Sequence, residues 1–382
     1  MILNELMSFE ILRVVWWVLL GLLLIGFAVM DGFDFGIGCM LPFVAKTDIE
    51  RRIVINTIGP VWEGNQVWFV LGGGAIFAAW PILYAVSFSG FYLAMFLLLA
   101  SMIVRPMAFK YRSKRDGKKW RRNWDALLFI AGLVPALVFG VAVGNAIQGV
   151  PFHLTPELRS FYTGSFWGLF NPFALLAGIL SLAMMVMHGA SYLMLKTEGP
   201  IAKRARVYGG WAALLTIASF AGAGIWLAYG IEAYRFVGEA APNGPSNPLF
   251  SEVIRQGSWL DAYTMQPWKA VAPLLGISGA ALAWMGLRLE REKITILFSG
   301  VSIASIIATV GLSMFPFILP SSTDPNSSLT VWDSSSSQLT LFVMLGATAI
   351  FLPMIVAYTS WVYKVLWGKV TEDDLTSNPG AY

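Results

Sequence analysis

Long apolar runs separated by short polar segments dominate the chain, and the runs are continuous rather than alternating. A bilayer core of roughly 30 Å takes about 20 helical residues per crossing, so runs of this kind predict membrane-spanning helices. Nine crossings are predicted, at 11–36, 53–79, 81–105, 124–148, 165–194, 206–231, 269–287, 294–317 and 339–363. The alternating pattern of a membrane barrel is absent. The longest polar segment, about 232–268, contains the turn-rich "APNGPSNPLF" and predicts a lid-sized loop. No fixed-period repeat interrupts the pattern, so the whole chain, 1–382, is expected to form a single polytopic all-α membrane domain.

Composition agrees: 57% of residues are hydrophobic, 13% are charged, and the mean hydropathy is +0.67. Glu5 and Glu10 stand where a cleaved leader would be basic, so the first run is expected to be retained. Basic residues then orient the chain. Lys46, Arg51 and Arg52, the stretch from Lys110 to Arg122, the group Lys196, Lys203, Arg204 and Arg206, the group Arg288, Arg291 and Lys293, and Lys364 with Lys369 all follow odd-numbered crossings. The positive-inside rule therefore predicts the N-terminus outside and the C-terminus in the cytoplasm. The net charge of +4 is topological, and nucleic-acid binding is not expected. A single cysteine, Cys39, excludes an intrachain disulfide, and two histidines, His153 and His188, give no metal-ligand spacing. His188 reads best as a hydrogen-bonded membrane-interior histidine, and no metal site is predicted.

The chemistry-bearing candidates are the few ionisable residues inside the runs, which are costly in hydrocarbon unless paired, hydrated or neutralised. Asp31 and Asp34 share a helix face in "VMDGFDFGIG". Counting along the first helix puts Asp31 about 28 Å in, near the cytoplasmic edge, at the level of Arg105, with which it can pair. Counting from Ile53 puts Glu63 near the midplane, about 13 Å from Asp31. In "GPVWEGNQVW", Pro60 breaks the helix, Gly59 and Gly64 admit neighbours or water, and Asn65 and Gln66 offer Glu63 hydrogen bonds. Trp62 and Trp68 flank that pocket. From these features alone, a proton-conducting subunit and a proton-coupled secondary transporter stand level, with a structural scaffold as the third reading.

Six stretches carry a resemblance: "GFAVMDGFDFGIG", "WEGNQVWFVLGGGAIFAAWP", "FSGFYLAMFLLLASMIVRP", "GNAIQGVPF", "NPFALLAG" and "MFPFILPSSTDPNSSLTVWDSSSSQLTL". In order and spacing they resemble subunit II of the cytochrome bd quinol oxidases, essentially end to end. The resemblance implies a haem-free chain in a bacterial cytoplasmic membrane, beside a subunit I that carries two b-type haems and haem d, oxidises quinol and reduces O2 to water. It allows small single-helix accessory subunits and a structural quinone. It further implies that Asp31 and Glu63 fall at proton-conducting positions, with Asp34 and Arg105 as further members or electrostatic support. Trp68 matches a tryptophan near an oxygen-access path. Three positions depart from common family residues: Glu63 stands for Asp, Lys110 stands where an acid can occur, and His188 stands where a glutamine can occur.

Overall fold

The computed structural model describes residues 7–377, so Glu5 and both chain termini lie outside the described residues. Helix α1 (Phe9–Met30) starts at Ser8, whose hydroxyl accepts the Ile11 N–H. The chain breaks at Asp31 and resumes as α2 (Gly32–Val44). The first crossing therefore covers 36 residues, Phe9–Val44, and runs well past its expected end at 36. A capping box of Thr47 and Glu50 opens α3 (Asp48–Ile58), an amphipathic helix that is not part of a crossing.

The next two predicted crossings are divided differently from the expectation. After a break at 59–61 come the single turn α4 (Trp62–Asn65), α5 (Val67–Ala79) and α6 (Pro81–Gly90), and the last of these turns by 118° against the helix before it. The third crossing starts later than expected, with α7 (Tyr92–Tyr111). Pro60 and Pro81 lack the N–H that would continue a helix, which accounts for both divisions.

The remaining helices are α8 (Lys118–Gln148), α9 (Pro172–Lys196), α10 (Gly199–Gly230), the short α11 (Asp261–Met265), α12 (Val271–Arg288), α13 (Glu292–Met314), α14 (Gln338–Val365) and α15 (Glu372–Ser377). Among the described residues, eight helices are long and apolar enough to cross a membrane, and a ninth crossing results if the bent pair Trp62–Ala79 and Pro81–Gly90 is one span. That count agrees with the predicted all-α architecture of about nine crossings.

Helix α9 is the pillar, packing on α2, α8, α10 and α13. Close backbone approach makes this possible: a Cβ on Gly36 of α2 would strike the Met185 carbonyl of α9, and one on Gly189 would lie 2.9 Å from the Gly36 carbonyl carbon. Away from this pillar, α1 packs on α5, α13 and α14.

The two ends of the bundle differ. One, the loop end, carries the start of α1 and three antiparallel hairpins, β1 (Phe152–Leu154) with β2 (Ser160–Tyr162), β3 (Glu232–Phe236) with β4 (Val253–Ser258), and β5 (Phe317–Leu319) with β6 (Leu329–Thr330). The segment expected as a loop is thus partly a hairpin, and its tip is held by Arg13. That side chain donates to the Pro242 carbonyl at 2.5 Å, the Gly244 carbonyl at 3.1 Å, Ser246 Oγ at 2.9 Å and Ser335 Oγ at 2.8 Å. The other end gathers the basic segments into ion pairs: Arg51 and Arg112 with Asp125, Arg121 with Asp48, Arg204 with Glu50, and Lys369 with Glu292.

Candidate functional site

The break between α1 and α2 places two carboxyls in the interior, where Asp31 is 0% and Asp34 1% exposed. At the break the Asp34 and Phe35 N–H groups both donate to the Asp31 carbonyl, so the acids sit on a tight turn instead of a continuous helix. Arg105, on α7, pairs with Asp31 through both of its terminal nitrogens, Nη1 to Oδ1 at 2.9 Å and Nη2 to Oδ2 at 3.1 Å. This is the pair that depth counting expected. The guanidinium lies over the rings of Phe35 and Trp62, 4.7 and 5.7 Å from their centroids, which supplies attraction without water.

Asp34 is held from another direction. Asn65 Nδ2 donates to Asp34 Oδ2 at 3.0 Å, and Tyr363, in the last turns of α14, donates to Asn65 Oδ1 at 2.8 Å. The result is a buried chain, Tyr363 to Asn65 to Asp34, next to a buried ion pair. Asp34 Oδ1 and Arg105 Nε have no hydrogen-bond partner within the described residues. Tyr192 closes the layer from α9, stacked on Phe33 at 4.1 Å with its hydroxyl donating to the Thr57 carbonyl at 3.3 Å.

Glu63 is where the expectation fails. It is not enclosed in a pocket of this chain; it is exposed on the outside of α4 and has no hydrogen bond or ion pair within the described residues. Asn65, expected to serve Glu63, turns inward to Asp34, and Gln66 makes no side-chain hydrogen bond within the described residues. The reason is the break at 59–61. Counting upward from Ile53 assumed one straight helix, whereas the crossing starts at Trp62 and Glu63 lies in its first turn. The turn bearing Glu63 adjoins the acidic break, because it bonds directly to Asp34 through Asn65. The acids lie in one layer of the bundle, and Glu63 is the outward member.

The two tryptophans separate as well. Trp62 is buried under the guanidinium, and Trp68, on α5, packs against α1 with its indole where a Cβ on Gly26 would be. His188 has both ring nitrogens engaged: Nε2 donates to the Val29 carbonyl at 3.0 Å and Nδ1 faces Ser299 Oγ at 2.7 Å. Its nitrogens are therefore committed within the chain. His153 stacks on Phe161 in the β1–β2 hairpin at the loop end. Sequence reasoning missed Tyr363 and Tyr192. A tyrosine near a helix end reads as an interface anchor, and nothing local to either residue points to an acid more than 100 positions away.

A family model described as cytochrome bd terminal oxidase subunit II matches residues 12–366. The chain belongs to this family. It is 47% identical to cytochrome bd-I ubiquinol oxidase subunit 2 of Escherichia coli K12 over 97% of this chain and 98% of that one. It is 46% identical to a probable cytochrome oxidase subunit 2 of Haemophilus influenzae, with the same coverage, and 29% identical to cytochrome bd ubiquinol oxidase subunit 2 of Bacillus subtilis over 94% and 97%. The fold resembles the bd oxidase structure from Geobacillus thermodenitrificans, with TM-score 0.69 and 16% identity, over 93% of this chain and 98% of that one. A multi-pass membrane subunit II of a bd-type oxidase, part of a quinol-oxidising enzyme, replaces the transporter reading.

Proposed function

We propose that this subunit carries protons from the cytoplasm toward a haem-bearing subunit I, through the Asp31–Asp34 layer and out by Glu63. Two b-type haems and haem d then belong to the partner, as do quinol oxidation and O2 reduction. The chain sits in a bacterial cytoplasmic membrane with its basic end inward. The pattern of basic residues supports that orientation. The engaged nitrogens of His188 support placing the haem irons elsewhere.

One observation carries the reading: a buried layer holding two carboxyls and one guanidinium lies directly behind an exposed carboxylate on a crossing helix. Arg105 neutralises Asp31, which leaves Asp34 as the carboxyl at which a proton can be held. A charged side chain facing lipid is costly, so Glu63 requires a polar surface from a neighbouring subunit. The same requirement extends to α14, which ends beside Glu63 through the Tyr363–Asn65 bond. Protons passing from Asp34 to Glu63 then leave this chain at its contact with the partner, by way of bound water or the partner's side chains.

Replacing Glu63 tests the proposal. Glu63→Gln keeps shape and hydrogen bonding but cannot cycle a proton, so an assembled complex with normal haem content and much slower quinol-driven O2 consumption is expected. Glu63→Asp should keep most turnover. If Glu63→Gln consumes O2 per haem d at the wild-type rate, the carboxylate is structural and the route is wrong.

A further inference from the structure

Between α10 and α12, at the basic end, a groove of about 320 Å³ opens on the outer surface of the bundle. Its α10 wall is one stripe of the helix, Lys203, Arg206, Gly210, Trp211 and Leu214, and its α12 wall supplies Trp284, Leu287 and Arg288. Reading along α10 away from the basic end gives cations first, Trp211 about a turn later and Leu214 deeper, while α12 presents Arg288 and Leu287 at the end and Trp284 one turn further in. The Arg288 guanidinium lies 5.3 Å from the Trp284 ring centroid. Arg206 pairs with Glu290 at the rim, while Lys203 extends from an exposed position. With Glu290 counted against the three cations, the mouth carries a net positive charge. Gly210 forms the floor: a Cβ there would meet nothing nearer than the Trp284 indole at 3.9 Å.

The α10 gradient from cation to tryptophan to leucine, facing Arg288 and then Trp284 on α12, matches the layers of a phospholipid, from phosphate through glycerol to acyl chain. We propose that this groove binds an anionic glycerophospholipid of the leaflet at the basic end, its phosphate held by Lys203 and Arg288 and its chains lying on Leu214 and Trp284. The basic residues here thus have a second task beyond orienting the chain. The helices that line the groove pack mainly on α2, α9, α13 and each other, on a different flank from α14 and Glu63. The site is therefore separate from the proposed proton exit.

The purified complex in detergent is titrated with dioctanoyl phosphatidylglycerol, dioctanoyl phosphatidylcholine and sodium phosphate, and binding is read by native mass spectrometry and by the shift in Tm. Phosphatidylglycerol is expected to bind and raise Tm; phosphatidylcholine and phosphate are not. Lys203→Gln with Arg288→Gln should weaken phosphatidylglycerol binding by tenfold or more, from about fivefold per cation removed. Gly210→Leu, which fills the floor and leaves every charge in place, should weaken it as well, and O2 consumption should stay at the wild-type level in both variants. Equal binding of phosphatidylcholine would overturn the proposal, as would Tm protection by phosphate alone, which would mark a soluble-anion site. Undiminished phosphatidylglycerol binding in both variants would place the lipid elsewhere.

Discussion

Helices α9 and α14 have 25 and 28 residues and mean hydropathies of 1.9 and 2.3 over their most apolar stretches, yet 67% of that stretch is buried in α9 and 6% in α14. Helix α9 has small residues where neighbours cross, and it is locked by contact along its length. Among the described residues, side-chain hydrogen bonds hold helix α14 near its two ends. Trp16 Nε1 donates to the Leu341 carbonyl at one end, and at the other Lys196 Nζ donates to the Leu366 carbonyl while Tyr363 reaches Asn65. Between those anchors Val343, Ile350, Phe351 and Met354 stand exposed. Apolar content is thus the same signal for a helix buried in its own chain and for one left to lipid or a partner, and packing detail separates them.

The most damaging change should be Arg105→Gln, which leaves Asp31 charged and unpaired inside the bundle. A loss of about 3–5 kcal/mol is expected, seen as a fall in recovered complex. The control must be Arg115→Gln and not Arg112→Gln, because Arg112 is itself 1% exposed and bound to Asp125 and Asp48. If the Arg115 and Arg105 variants are recovered equally, the buried pair does not stabilise the fold.

Next in size is a glycine comparison across the two helices. Gly189→Ala on α9 forces a methyl against the α2 backbone and should cost about 1–3 kcal/mol, whereas Gly346→Ala on α14, with nothing within 4 Å, should leave Tm of the complex near wild type unless a partner packs there. A large loss at Gly346 would locate the partner on α14. Tyr363→Phe comes third: it removes one hydrogen bond to Asn65 and should lower stability by about 1 kcal/mol, with haem content unchanged.

The smallest expected effect concerns pH at the basic end. Partial burial pushes the Glu50 carboxyl up, but the Lys46 and Thr47 N–H groups and the Arg204 guanidinium outweigh it and hold the carboxyl below its ordinary value. A lowered folded value means the contribution is present above about pH 4.3 and is lost as pH falls through the folded value. Glu50→Gln should therefore remove part of the fall in Tm on acidification. Parallel Tm curves for the two proteins would show that the cap contributes nothing.

Much of this was legible in the sequence. Continuous apolar runs gave the number of crossings, and the scarcity of charge inside them singled out Asp31, Asp34 and Arg105. What failed was counting across prolines. Between Ile53 and Ala79 a run reads as one helix on hydropathy alone, but the backbone restarts twice, and Glu63 moves from an assumed interior to the surface. The segment 81–90 failed for a related reason: a ten-residue helix turned aside from the crossing has the same composition as the crossing itself. The Asn65–Tyr363 bond spans 298 positions and leaves no periodic trace.

The anchoring of Arg13 bears on the order of synthesis. Its side chain is fully buried, and every group that accepts from it belongs to residues 242–246 or to Ser335, translated 229 to 322 positions later. While the ribosome is still making the middle of the chain, the first helix can insert, but its guanidinium must remain hydrated at the membrane rim. Only when the β3–β4 hairpin and the segment leading into α14 have emerged can it be fully enclosed. The first helix to enter the membrane is thus among the last to be locked, and a chain cut short before Pro242 would carry an unsatisfied cation at its entrance, marking it as unfinished.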